Sequence, residues 1–164
     1  MNFNSRENYK NRTKATGCAV AVFGSRTLKD ERVEIIITEK IKELNAIKII
    51  TSQEPEGVCE VAQRVAKKYA YPLQLHFLNM QYLRGSFEQR SKEIIAEADY
   101  IILIHDGKSK GTYNEKILVE KSGKQFHYEI LEVEKYNRSV GFNIKDDWTY
   151  DEKEFDFNID EEIQ

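Results

Sequence analysis

Only two cysteines, Cys18 and Cys59, occur in 164 residues, which rules out a disulfide framework or a sulfur-based metal site. Both fall in apolar patterns and are expected to be reduced, buried thiols. Histidine is nearly as scarce. His76, His105 and His127 are dispersed along the chain, so no metal-ligand spacing forms and neither a metal nor another cofactor is expected. No apolar run approaches the roughly 20 residues of a membrane span, so no membrane partner is expected. Residues 1–6 hold no apolar core, and a secretory leader is not expected. These absences point to a cytoplasmic protein. Internal repeats and low-complexity linkers are missing too.

A large net charge is also absent. The sum is −3, but residues 1–16 carry +3 and residues 143–164 carry −7, which leaves residues 17–142 at +1. A near-neutral body with an acidic tail attracts duplex phosphates poorly, so nucleic acid is disfavoured as a partner.

The composition, 40% hydrophobic and 32% charged, is that of a globular protein, and the length suits one domain. The expected division is a mobile basic arm at 1–16, a globular body at 17–134 and an acidic extension at 135–164. Apolar runs at 18–23, 47–50, 73–78, 100–104 and 126–133 predict five strands. Between them, apolar residues spaced three and four apart predict helices: Val33, Ile36, Ile37, Ile41 and Leu44; Val58, Val61, Ala62, Val65, Ala66 and Tyr69; Phe87, Ser91, Ile94, Ile95 and Ala98; and a fourth over 111–122, closed by Gly123. Strands that are apolar throughout and alternate with helices indicate a mainly parallel sheet of about five strands covered on both faces, a Rossmann-like three-layer α/β sandwich. Beyond 133 the rhythm breaks. Trp148 and Tyr150 are candidates to pack back on the body. Phe155, Phe157 and Ile159 alternate with polar residues, as an edge strand, a partner-binding peptide or a solvated tail would.

In such a sheet, ligands bind beyond the carboxyl ends of the strands, where strand order reverses. Three loops leave such ends. Gly24-Ser25-Arg26 offers close backbone approach, a hydroxyl and a guanidinium fork suited to phosphate oxygens. The loop from Thr51 and Ser52 to Gly57 offers hydroxyls and a glycine before a helix, where capping is an equally good account. Ser109-Lys110-Gly111-Thr112, followed by Glu115, delivers small residues to a helix start whose free N–H groups and positive dipole end favour an anion. Ser109 or Thr112 also suits a helix cap, with Glu115 completing a capping box. Arg90 lies on the inward stripe between Phe87 and Ile94, and a guanidinium there needs an anionic partner: Glu115, Asp99 or a ligand phosphate. His105, ending the fourth strand, is expected to be structural. Lys108 and Lys110 are expected to be solvated.

Taken together, Ala21-Val22-Phe23-Gly24-Ser25-Arg26, the Gly57 loop, Arg90, Ala98-Asp99 and Ser109-Lys110-Gly111-Thr112 resemble the SLOG superfamily of Rossmann-like domains over residues 18–133. That superfamily includes the DNA-processing protein DprA and the LOG (Lonely Guy) phosphoribohydrolases. The resemblance implies a ligand built from a nucleotide or an ADP-ribose-like molecule, and association into a homo-oligomer, a dimer by analogy. There are departures. LOG enzymes carry Pro-Gly-Gly-x-Gly-Thr-x-x-Glu where this chain has Gly107-Lys108-Ser109-Lys110-Gly111-Thr112-Tyr113-Asn114-Glu115; the Lys after the family Arg is Ser91; and in the second-strand motif Cys59 replaces Asp.

Three functions compete. The first is a non-catalytic nucleotide binder, a sensor or sequestering protein, using Gly24, Ser25, Arg26, Ser52, Gly57, Arg90, Ser109, Gly111 and Thr112. The second is an N-glycosidic hydrolase acting on nucleoside 5′-monophosphates. There Glu115 would be the catalytic carboxylate beside an oxocarbenium-like transition state, and Arg90 would hold the phosphate. The third, DprA-like binding of single-stranded DNA, is weakened by the acidic balance.

Overall fold

A computed structural model describes residues 17–133. The arm expected at 1–16 and the extension expected at 135–164, with Trp148, Tyr150, Phe155, Phe157 and Ile159, lie outside the described residues. In chain order the elements are β1 (Cys18–Gly24), α1 (Glu31–Glu43), β2 (Ala46–Ser52), α2 (Val58–Lys68), β3 (Leu73–His76), a 3₁₀ turn (Met80–Gly85), α3 (Ser86–Glu97), β4 (Tyr100–His105), α4 (Lys110–Ser122) and β5 (Gln125–Ile130). All strand pairs are parallel, in the order β3-β2-β1-β4-β5.

The apolar strands follow from burial on both faces. Along β1, Cys18, Val20 and Val22 join the core under α1 and α2, while Ala19, Ala21 and Phe23 join the core under α3 and α4. β4 divides in the same way, Ile102 and Ile104 against Ile101 and Leu103. α1 supplies Val33, Ile37 and Ile41, one per turn. The result is the Rossmann-like three-layer sandwich that the pattern predicts. Among the described residues, no helix is long and apolar enough to cross a membrane.

Local chemistry fixes the helix ends. Asp30 caps α1, accepting from Arg32 N at 2.9 Å and holding the Arg32 guanidinium through both carboxylate oxygens. Lys124 closes α3 from outside, its ammonium donating to the carbonyls of Ile95, Ala96 and Ala98 at 2.6, 2.8 and 2.7 Å. Gly123, at φ 74°, ends α4 in the left-handed conformation its position predicts.

Three strand boundaries differ clearly from the pattern: β2 runs on through Thr51 and Ser52, which the pattern assigns to the opening of the loop, and β3 and β5 stop early. β3 stops at His76 because its partner β2 stops at Ser52, the residue paired with His76. Phe77 and Leu78 therefore fall outside the ladder, and a 3₁₀ turn that the pattern does not contain carries the chain to α3. β5 stops at Ile130, opposite the last residue of β4. Leu131 and Val133 leave the strand but still pack against the core under α1 and α2.

The chain runs β1-β2-β3 to one side of the sheet and β4-β5 to the other. The reversal lies between β1 and β4, so the loops after these two strands stand side by side at the carboxyl edge.

Candidate functional site

The loops after β1 and β4 are joined by buried polar contacts. Ser25 Oγ and Thr112 Oγ1 hydrogen-bond at 2.9 Å, and Asp106 N donates to Ser25 Oγ at 3.1 Å. Thr27 Oγ1 donates to Asp106 Oδ2 at 2.6 Å, while Asp106 Oδ1 accepts from the amides of Lys108 and Ser109 at 2.9 and 2.7 Å. One carboxylate thus organises the turn into α4 and ties it to the neighbouring loop. Ser109 is the N-cap residue of α4 but makes no side-chain cap bond; Asp106 takes amides of the approach instead. His105 Nε2 donates to the Ser109 carbonyl at 2.9 Å, and Nδ1 hydrogen-bonds with the Tyr128 hydroxyl at 2.7 Å. The expected structural role of His105 is therefore a specific one: it supports the loop from below. Gly111 is buried in the first turn of α4.

The loop between β2 and α2 depends on two close approaches. A Cβ on Gly57 would stand 2.3 Å from Arg26 Cα and 2.5 Å from the Ser25 carbonyl, which accepts from Val58 N at 3.2 Å. A Cβ on Gly24 would stand 2.4 Å from Val58 Cβ. Both glycines let the start of α2 pack onto the end of β1. Thr51 does not cap α2; its hydroxyl donates to the Val22 carbonyl at 2.8 Å. Gln63 Nε2 holds the loop backbone through the carbonyls of Ser52 and Glu54, at 2.8 and 3.0 Å.

Arg90 is 5% exposed, as a guanidinium on an inward stripe should be only with acceptors at hand. Those acceptors come from neither Glu115 nor Asp99 but from the β2–α2 loop. Nη1 donates to Gln53 Oε1 at 2.9 Å and Nη2 to Glu54 Oε1 at 2.8 Å. Arg26 approaches the other oxygen of the same carboxylate, Nη2 to Glu54 Oε2 at 3.4 Å. Two guanidiniums from different elements thus converge on one anion at the carboxyl edge of the sheet. The Phe87 ring flanks Arg90, with its centroid 5.4 Å from the guanidinium carbon.

Further polar groups are buried on the strands and helices around these loops. Ser52 lies on the same side of β2 as Ile50, whose side chain joins the core under α3 and α4. It is 3% exposed and its hydroxyl has no hydrogen-bond partner; nor has the buried amide nitrogen of Asn114 on α4. Glu115 is half-buried, and Ser91 Oγ donates to its Oε2 at 3.5 Å, which links α3 to α4. Cys59 is buried; desolvation, and secondarily the charge of Glu115, push its thiol pKa up, so the sulfur stays protonated and unreactive. Among the described residues, no group of three or more His, Cys, Asp or Glu side chains is placed to hold a metal ion.

The residues singled out in the sequence therefore fall into two groups along one edge. Gly24, Ser25, Gly57, Ser109, Gly111 and Thr112 build the loop framework, while Arg26, Arg90, Ser52 and Glu115 present side-chain chemistry beside it. Sequence reasoning missed Asp106, Gln53 and Glu54. The Asp-Gly step after β4 is a signal for the first, since Asp accepts from amides two and three residues on in such turns. Nothing local marks Glu54, whose partner Arg90 is 36 residues away. Comparison with protein-family models, curated proteins and solved structures finds no match.

Proposed function

We propose that the protein binds a nucleotide or nucleotide-derived ligand, a nucleoside monophosphate or ADP-ribose-like molecule, at the carboxyl ends of its strands, as a sensor or sequestering protein. One observation carries the reading: the guanidiniums of Arg26 and Arg90 meet on a single carboxylate beside the strand-order reversal. Paired arginine forks match the oxygens of a phosphate as they match those of a carboxylate, and open parallel sheets take their ligands at this edge. Arg26 after β1 and Glu54 after β2 both stand in loops at that edge. These are also the loops that carry the resemblance to SLOG domains.

Calorimetric titration with adenosine 5′-monophosphate (AMP) and with ADP-ribose tests it. Binding of at least one is expected, weakened at least about tenfold in Arg90→Ala, the loss of one charge-assisted phosphate contact. Heat-free titrations with both ligands would refute it. N-glycosidic hydrolysis is the second reading, favoured by the half-buried Glu115, which Ser91 on the helix of Arg90 holds by a hydrogen bond. Free adenine released from AMP by the wild type and absent with Glu115→Ala would establish that reading instead.

A further inference from the structure

We infer that Glu54 is an internal competitor for the ligand's phosphate: it occupies the seat between Arg26 and Arg90 and gives it up when a terminal, doubly charged phosphate enters. The inference rests on the nucleotide-binding reading above and names the ligand group and the event that admits it.

The seat is built for an anion and already holds one. Glu54 gives one oxygen to each guanidinium, at 2.8 Å to Arg90 and 3.4 Å to Arg26, and Gln53 takes the second Nη of Arg90. The backbone under this carboxylate is anchored, since Gln63 fixes the carbonyls of Ser52 and Glu54 and Pro55 follows directly. The Glu54 side chain is 16% exposed, whereas that of Arg90 is only 6% exposed. Exposure rises from Arg90 through Glu54 to Arg26, whose side chain is 24% exposed, so the carboxylate bridges a buried guanidinium and a more accessible one. The exchange therefore asks only for rotation of the Glu54 side-chain torsions, with the Gln63-anchored loop backbone and the buried Arg90 as the fixed frame.

Charge decides what can displace it. The carboxylate brings one negative charge to two positive ones, and tethering gives it an effective concentration on the order of millimolar or more. A singly charged phosphodiester offers no more charge and has no tether, so the exchange does not favour it. A phosphate monoester carries about −1.5 to −2 at neutral pH and three strong acceptor oxygens, enough to engage both forks at once. The seat thus suits a terminal phosphate, as in a nucleoside monophosphate, over an internal diester.

Calorimetry with inorganic phosphate, AMP and cyclic 3′,5′-AMP tests this on the full chain, for the wild type and Glu54→Gln. Wild type is expected to bind AMP at least about tenfold more tightly than the cyclic diester. Glu54→Gln is expected to gain at least about tenfold for inorganic phosphate and for AMP, by a similar factor, because one competitor has been removed from both equilibria. Should Glu54→Gln fail to fold, Glu54→Asp shortens the reach of the carboxylate and is expected to show a smaller gain in the same direction. Wild type that binds AMP while the Glu54 variants bind it equally or more weakly overturns the inference and leaves the nucleotide reading standing. Equal wild-type affinity for AMP and the cyclic diester overturns the preference for a terminal phosphate. No binding by any form overturns the inference together with the reading beneath it.

Discussion

At position 57 the backbone leaves no choice of residue. The torsions, φ 78° and ψ −153°, lie in a region essentially closed to side-chain-bearing residues, and the space a Cβ would need is taken by Arg26 Cα and the Ser25 carbonyl. Gly123 makes a useful contrast: it too has positive φ, 74°, but nothing lies within 4 Å of the Cβ it lacks. The Ala substitution at 123 meets only the left-handed penalty, about 1–2 kcal/mol. At 57 the same substitution adds a collision with backbone, for which the loop after β1 and the start of α2 must separate. Gly57→Ala is expected to destabilise by at least about 3 kcal/mol, clearly more than Gly123→Ala. Urea unfolding of the two variants side by side checks the order; equal losses would show that torsion alone matters and that the close approach is unimportant.

For single elements, much was legible because local pattern and burial agree. β1 and residues 101–104 of β4 carry apolar side chains on both faces, and α1 repeats its buried residues once per turn. The ends of β3 and β5 were not legible, since a strand ends where its neighbour in the ladder ends, a fact held by another part of the chain. The site shows the same division. The glycine and hydroxyl loops follow from their positions after strands, and the need of Arg90 for a partner follows from its stripe. Which carboxylate answers depends on the sheet order. The cap of α1 is local, and it carries a pH dependence. Hydrogen bonds from Arg32, side chain and backbone, together with its charge, outweigh desolvation and hold the Asp30 carboxyl below its ordinary 3.8. A carboxylate favoured by the fold contributes its full stability above the unfolded value and loses it as pH falls from about 4 through the lower folded value. Asp30→Ala is therefore expected to cost about 1 kcal/mol at pH 7, with the gap to wild type narrowing below pH 4. Urea midpoints at pH 7 and near pH 3 check the sign; a gap that widens in acid would contradict it.

Over the whole molecule, the sheet consists of two wings that meet at β1 and β4, and the place where they diverge is also where the candidate site lies. The ladder between β1 and β4 joins the wings along the strands, but beyond the last paired residues, Gly24 and Ile104, the contact passes to side chains and loop amides. Asp106 is central there. It is buried, accepts from Thr27 on one wing and from Lys108 N and Ser109 N on the other, and its own amide donates to Ser25. Asp106→Ala leaves three donors without their acceptor, each costing about 1–3 kcal/mol where water cannot replace it; a loss of at least about 3 kcal/mol is expected. Asp106→Asn keeps an oxygen for the two amides, and the Thr27 hydroxyl can rotate to accept from the new amide nitrogen, so a loss near 1 kcal/mol is expected. Chemical denaturation measures both losses, and hydrogen exchange at the Ser109 amide locates them, with rapid exchange in Asp106→Ala and retained protection in Asp106→Asn. Because the same carboxylate shapes the approach to α4, the alanine variant is also expected to bind AMP more weakly than the asparagine variant does. Equal stability in the two variants would mean that the wings are held together by the strand ladder alone, and that the loops at the carboxyl edge move independently of each other.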